Sequence, residues 1–218
     1  VWLIEDPYME EGSRPYFSRF AHGLHEPLGL AYRDGSLYAS QRSELTKLTD
    51  LDGDGRADRY ETVYAWPLSG NYHEYSYGPV FTPEGNMLVT LNLGWIGYGA
   101  SLAKWRGWAI EITPEGEMTP IATGLRSPAG YGYDLKGELF YAENQGDWVG
   151  SGGITHLERG DFAGNPAGLI WTSEPGSPLR LRPEDISAAA RKYLDANRRV
   201  IMSVVPAGKR ELAIPNSR

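Results

Sequence analysis

The sequence predicts an all-β fold of repeated four-stranded sheets, a partial β-propeller, and three observations carry that reading. First, residues 25–38, 73–88 and 126–140 follow one layout. Each opens on a polar lead-in (His25-Glu-Pro, His73-Glu-Tyr, Arg126-Ser-Pro), then gives an apolar strand, a turn and a second strand. Second, their turn glycines, Gly35, Gly85 and Gly137, lie 50 and 52 positions apart, which is the period of a propeller blade. Third, 27 Gly, 15 Pro and 14 Tyr in 218 residues favour many turns and aromatic strands over a helix bundle.

The elements follow from turn signals at Asp34-Gly35, Asp54-Gly55, Glu84-Gly85, Glu115-Gly116 and Lys136-Gly137, each flanked by alternating or β-branched residues. Val1-Trp-Leu-Ile4 reads as a strand. One blade is expected from strands at 28–32, 37–40, 45–49 and 60–65, and a second from 79–82, 87–92, 108–113 and 118–122. A third begins with 131–134 and 138–143 and continues at 154–158. From about Asn165 prolines punctuate an irregular stretch, and residues 183–198 read as one C-terminal helix. Pro183 sits in its first turn, acidic Glu184 and Asp185 follow, and Arg198 and Arg199 lie at its end. Ile186, Ala189, Ala190, Tyr193 and Leu194 share one face. Residues 1–172 are therefore assigned to the partial propeller. Residues 173–218 are assigned to an irregular segment and helix that start the next part of a larger one. Three to four blades do not close a ring, because open sheets leave edges and half-covered faces.

Composition narrows the function. The formal charge of −7 disfavours nucleic acid, whose phosphates need a basic surface. No apolar run approaches the roughly 20 residues of a membrane span. The lack of cysteine removes disulfides, thiolate metal sites and cytochrome-type haem attachment from this chain.

The strongest local motif is Asp50-Leu-Asp52-Gly-Asp54-Gly55-Arg56-Ala-Asp58-Arg-Tyr-Glu61. Oxygen ligands fall at positions one, three, five, nine and twelve of a twelve-residue calcium loop, with Gly at six. Arg56, at seven, offers only its backbone carbonyl. The flanks are strands, so the segment is not a helix-flanked pair, and a bound Ca2+ would be structural. The alternative is an acidic hairpin held by side-chain-to-backbone turns and binding no ion.

The repeat places a second set of polar residues on one rim. Loops that lead into each inner strand carry His25 and Glu26, Tyr72, His73 and Glu74, and Arg126 and Ser127. Loops that leave each second strand carry Gln41 and Arg42, Asn92, and Glu143, Asn144, Gln145 and Asp147. These either line a polar pocket around the axis or cap strand ends. His73 can accept a proton near neutral pH, with Glu74 as a candidate orienter; otherwise it is packed between Tyr72 and Tyr75. Arg126 suits a bidentate anionic acceptor; otherwise it pairs with Glu143 or Asp147. Aromatic residues in Gly-rich segments, Trp95, Tyr98, Trp105 and Trp148, are candidates for binding flat ligands, whereas Trp108 alternates with Ile110 and Ile112 and reads as packing.

At these residues the chain resembles the six-bladed soluble glucose/sorbosone dehydrogenase family, whose members bind pyrroloquinoline quinone (PQQ). His73 through Val89, with Pro83-Glu-Gly-Asn86 at the turn, follows that family's catalytic segment. Gly124-Leu-Arg126-Ser127-Pro128-Ala-Gly130 is similar to its quinone-binding segment, and Glu143-Asn-Gln145-Gly146 to the Glu-Gln-Gly that follows. Tyr72 and Ser127 stand where the family has Asp and Asn. The series His22 to Pro166 is closer still to propellers of planctomycete-type bacteria described as membrane-bound dehydrogenases, which often continue into a cytochrome c domain. The resemblance implies a fragment of a six-bladed, periplasmic or extracellular enzyme that passes hydride from a sugar or alcohol to PQQ. It implies His73 as the base, Arg126 as both catalytic and cofactor-binding, and Ser127, Asn144 and Gln145 as cofactor contacts. Two rivals stand beside it: a non-catalytic propeller binding carbohydrate or protein, and a lactone hydrolase using Asn92, Glu143 and Asn144 around a rim calcium.

Overall fold

In the computed structural model, which describes residues 1–6, 8–9, 12–94, 101–144 and 152–179, every sheet is antiparallel and joins strands in chain order. Blade 1 contains β3 (Gly29–Arg33), β4 (Ser36–Ser40), β5 (Glu44–Thr49) and β6 (Arg59–Ala65). Blade 2 contains β7 (Ser76–Phe81), β8 (Met87–Leu91), β9 (Trp108–Ile112) and β10 (Met118–Thr123). Among the described residues blade 3 has three strands, β11 (Gly130–Tyr133), β12 (Leu139–Glu143) and β13 (Gly153–His156). Ahead of them, β1 (Trp2–Glu5) and β2 (Tyr16–Arg19) form a two-stranded sheet. The fold is a partial β-propeller.

The repeat holds in the backbone. Gly35, Gly85 and Gly137 all adopt positive φ, at 76°, 95° and 85°, a region that glycine enters without steric penalty. Each closes the hairpin between the first two strands of its blade.

Burial follows position in the stack. Blade 2 is covered on both faces, and every residue of β8 is buried. Met87, Val89 and Leu91 face blade 1 with Trp108, Ile110 and Ile112, meeting Leu45 and Trp66. On the opposite face Leu88 and Ala109 meet Leu139 and Tyr141 of blade 3. That two-sided apolar pattern is what a strand between two packed sheets requires. A smaller cluster joins Phe20 and Ala21 to Ala39 and Leu48 of blade 1. By contrast, Leu30 and Tyr32 on β3, Trp2, Ile4 and Phe17 on β1 and β2, and Ile154 on β13 are exposed.

Blades also lock through polar contacts. Tyr131 of β11 donates its hydroxyl to Tyr77 O and Leu88 O, at 2.5 and 3.0 Å. Its hydroxyl occupies the space a side chain at Gly78 would fill, and Gly78 adopts φ 108°. Burial pushes the Tyr131 phenol far above its ordinary range, so it stays a donor. Trp108 Nε1 donates to Gly168 O at 2.7 Å.

Three features depart from the expected elements. β2 was not among the expected strands. Among the described residues, the chain does not add a fourth strand to blade 3 after β13. It returns to the edge of β10, where Gly160 N donates to Ile121 O and Ala163 N to Thr123 O, with a parallel bridge between Thr123 and Phe162. Residues 166–171, expected to be irregular, form a 3₁₀ turn capped by Asn165, whose side chain accepts from Ala167 N at 3.0 Å. The expected helix at 183–198 lies outside the described residues. Among the described residues no helix is long and apolar enough to cross a membrane.

Candidate functional site

In all three blades the start of the inner strand lies opposite the end of the second strand: Gly29 opposite Ser40, Ser76 opposite Leu91, Gly130 opposite Ala142. Lead-in and exit loops of a blade therefore share one end. There a side chain at the end of each second strand, or just beyond it, clamps the lead-in loop. Gln41 accepts from His25 N through its Oε1. Asn92 accepts from Tyr75 N and donates to His73 O at 3.3 Å. Glu143 accepts from Arg126 N and Ser127 N, both at 2.7 Å, and from Asn144 N at 3.0 Å. Gln41 and Asn92 are buried, so these bonds form where water competes little. Glu143 thus meets the Arg126 backbone, and Asn92 and Glu143 both act as clamps.

The clamps bring the lead-in loops of blades 2 and 3 together. Asn92 holds the carbonyl of His73, and the next residue, Leu93, donates its N–H to Arg126 O at 2.9 Å. Ser127 Oγ lies 3.3 Å from Tyr77 Oη, so both hydroxyls join the same corner. The His73 ring is half-buried and packs edge-on against Tyr75, with centroids 5.3 Å apart, and against Tyr72 at 6.2 Å. Burial lowers its proton affinity, and the nearby charges of Arg126 and then Arg42 lower it further, below the ordinary histidine value of 6.5. His73 is therefore neutral and able to accept a proton at pH 7. The third lead-in residue, His25, is exposed and contributes backbone bonds alone among the contacts seen.

Glu74 corrects an expectation. It is not an orienter of His73, because its side chain turns into the core and is fully buried. Its carboxylate accepts from Ser69 Oγ at 2.8 Å and Ser69 N at 3.2 Å, and lies 3.8 Å from Arg106 Nε. Arg106, also fully buried, donates to Tyr75 O at 2.6 Å and to Ser76 Oγ and Arg42 O at 3.4 Å. Burial holds the Arg106 guanidinium down to about 10 despite Glu74, still charged at neutral pH. Sequence reasoning missed Arg106, which sat in a segment noted for its tryptophans. Those tryptophans are core: Trp105 and Trp108 are buried edge to face, 5.1 Å apart. Trp95, Tyr98, Gln145, Asp147 and Trp148 lie outside the described residues.

The acidic loop is at the other end of blade 1. β5 starts beside the rim at Glu44 and ends at Thr49, about 17 Å away at roughly 3.3 Å per residue. Asp50, Asp52 and Asp58 each place one carboxylate oxygen within 4.8 Å of the others. Asp54 and Glu61 are not in that group, and Glu61 stands on β6 with Arg59 at 3.8 Å. The loop's own backbone also uses these carboxylates. Asp50 accepts from Gly53 N at 2.7 Å and Gly55 N at 2.9 Å, Asp58 from Leu51 N at 2.7 Å, and Asp54 from Arg56 N at 2.8 Å. Burial tends to raise Asp50, but the bonds from Gly55, Gly53, Asp52 and Asp54 outweigh it and hold the carboxyl below its ordinary value. A separate cleft of about 410 Å³, lined by Trp2, Arg19, His22, Arg56 and Tyr60 among others, borders the open β1–β2 sheet rather than the rim.

No protein-family model matches the sequence, and no curated protein matches it. Solved structures do. One, from Thermus thermophilus and provisionally named an oxidoreductase (glucose dehydrogenase), is 23% identical with a TM-score of 0.50, over 70% of this chain and 55% of that one. Another, a glucose dehydrogenase, is 14% identical with a TM-score of 0.50, over 69% of this chain and 52% of that one. The chain thus spans about half the length of the structures it matches. These likenesses establish the propeller fold.

Proposed function

We propose that this chain is part of an extracytoplasmic sugar or alcohol dehydrogenase of the PQQ type, oxidising a hydroxyl carbon by hydride transfer. The observation that carries this reading is the meeting of His73 and Arg126, from consecutive blades, on the adjacent backbone anchors Asn92 and Leu93. The names of the two similar solved structures, glucose dehydrogenase in both, agree with it.

The donors at this corner suit an anionic, carbonyl-rich cofactor: the Arg126 guanidinium, the Ser127 hydroxyl and a neutral imidazole. PQQ, when bound, supplies the hydride acceptor. Arg126, Ser127 and Asn144 would hold its oxygens, with Gln145 as a further contact. His73 takes the substrate hydroxyl proton on a ring nitrogen, which its lowered proton affinity keeps unprotonated. Arg126 offsets the negative charge that develops. Glu143 and Asn92 hold both loops in place, which limits reorganisation on reaction. The acidic loop, through Asp50, Asp52 and Asp58, would hold a structural Ca2+ remote from the chemistry. Residues 1–172 supply three blades and part of another, residues 173–218 begin the next part, and a cytochrome c domain is the natural electron acceptor.

The test is dye reduction by the intact protein supplied with PQQ, calcium and aldoses. His73→Ala should lower kcat by about 10²- to 10⁴-fold, the usual contribution of a general base. The acidic limb of the pH profile should fall below 6.5, because the base is lost only when protons overcome the shifts at His73. Sugar binding that survives His73→Ala in a protein that binds no quinone would replace this reading with a carbohydrate-binding propeller.

A further inference from the structure

We propose that Arg42, on the blade 1 loop leaving β4, is the residue that positions His73 on blade 2, through Asn71 and Tyr75. The inference rests on the reading of His73 as the base, but its geometry stands on separate contacts.

Arg42 is held at both ends. Its carbonyl accepts from Trp66 Nε1 at 2.7 Å, and from Ser76 Oγ and Arg106 Nη2 at 3.4 Å. Its side chain is only 11% exposed, and its Nη1 donates to Glu26 Oε2 at 2.6 Å. The other arm of the guanidinium crosses to blade 2, where Nη2 donates to Asn71 O at 2.7 Å. Asn71 in turn accepts from His73 N through Oδ1 at 3.0 Å. The guanidinium carbon also lies 5.7 Å from the centroid of the Tyr75 ring, against which His73 packs. One planar cation thus fixes the turn before His73 and the ring beside it. A lysine, with a single ammonium, cannot hold both Glu26 and Asn71 in that fork.

The same placement sets the field at the imidazole. Among the described residues, the charged groups facing His73 are Arg42 from blade 1, with Glu26 as its counter-charge, and Arg126 from blade 3, whose backbone Glu143 holds. On the element of His73 itself, Tyr72 and Tyr75 flank the ring, and Glu74 is turned to Arg106.

The experiment is an NMR titration of the histidine rings in the 218-residue chain. It has four histidines, and His73→Gln identifies the relevant signal. In Arg42→Gln the His73 midpoint should rise and the His73–Tyr75 ring contact should weaken. In Arg42→Lys the charge stays, so the midpoint should remain near that of the parent while the ring contact weakens. In Glu26→Gln the cation loses its counter-charge, so the midpoint should fall. A folded Arg42→Gln chain with both the midpoint and the ring contact unchanged would overturn the proposal. If that variant does not fold, Glu26→Gln decides, and an unmoved midpoint there overturns it. None of these readouts needs quinone or turnover, so failure of the dehydrogenase reading would show separately, as inactivity with the shifts intact.

Discussion

The rim, which runs over three blades, and the acidic loop, at the far end of blade 1, use polar side chains in one elementary way, as acceptors of backbone N–H bonds. They differ in reach. In the acidic loop Asp50, Asp54 and Asp58 bond donors two to seven residues away. On the rim Gln41, Asn92 and Glu143 bond donors 16 or 17 residues away. A local network folds its own loop and leaves carboxylates facing solvent. A long-range clamp fixes one strand end against another, and with it the side chains that strand end carries. The first suits a structural ion; the second can bring groups from different blades to one reacting atom.

Variants can break or sharpen this contrast. The largest effect is expected from Arg106→Ala, which strands the fully buried Glu74 without its cation. Removing one partner of a buried pair costs about 3–5 kcal/mol, measurable by urea denaturation; a loss near zero would mean that Glu74 takes up a proton or finds another partner. Asn92→Ala removes two bonds to the His73 loop from a site with no exposure. Its cost should be about 1–3 kcal/mol, with a larger proportional loss of kcat than of sugar affinity. Equal losses in both would make Asn92 a strand cap and nothing more. The smallest effect belongs to the acidic loop. Millimolar calcium should raise the melting temperature over that in EDTA, and Asp50→Asn with Asp52→Asn should abolish the rise. A melt indifferent to calcium would leave the loop as a hairpin closed by its own backbone bonds.

The fold was largely legible because the turn glycines keep one period and each is followed by a strand of apolar and aromatic residues. β7 to β10 fall within three residues of their expected bounds, since blade 2 meets a neighbour on both faces and its pattern is unambiguous. β2 was missed because residues 16–19 lie between two stretches without hairpin turns, and their pairing to Trp2–Glu5 is set by contacts beyond a local window. The repeat identified which positions share the rim, but not what each does there. Gln41, Asn92 and Glu143 could be placed by their six- or seven-residue offset from the turn glycine, yet their partners are backbone N–H groups that no residue type reveals. Glu74 read as a rim acid because it follows His73, but both lie in the turn ahead of β7, where no strand period applies, and contacts with Ser69 and Arg106 direct its side chain inward. Its partner Arg106 lies in another strand connection, where periodicity gives no signal for a buried charge.

The central claim, that the rim rather than the acidic loop is the site of chemistry, is tested most directly by PQQ binding to the intact protein, followed by calorimetry. Arg126→Ala should weaken binding by about tenfold or more, as loss of a charge-assisted hydrogen-bonding group does, while Asp50→Asn at saturating calcium should leave it unchanged. Binding that is indifferent to Arg126→Ala, or that is lost with the Asp50 carboxylate instead, would contradict the account.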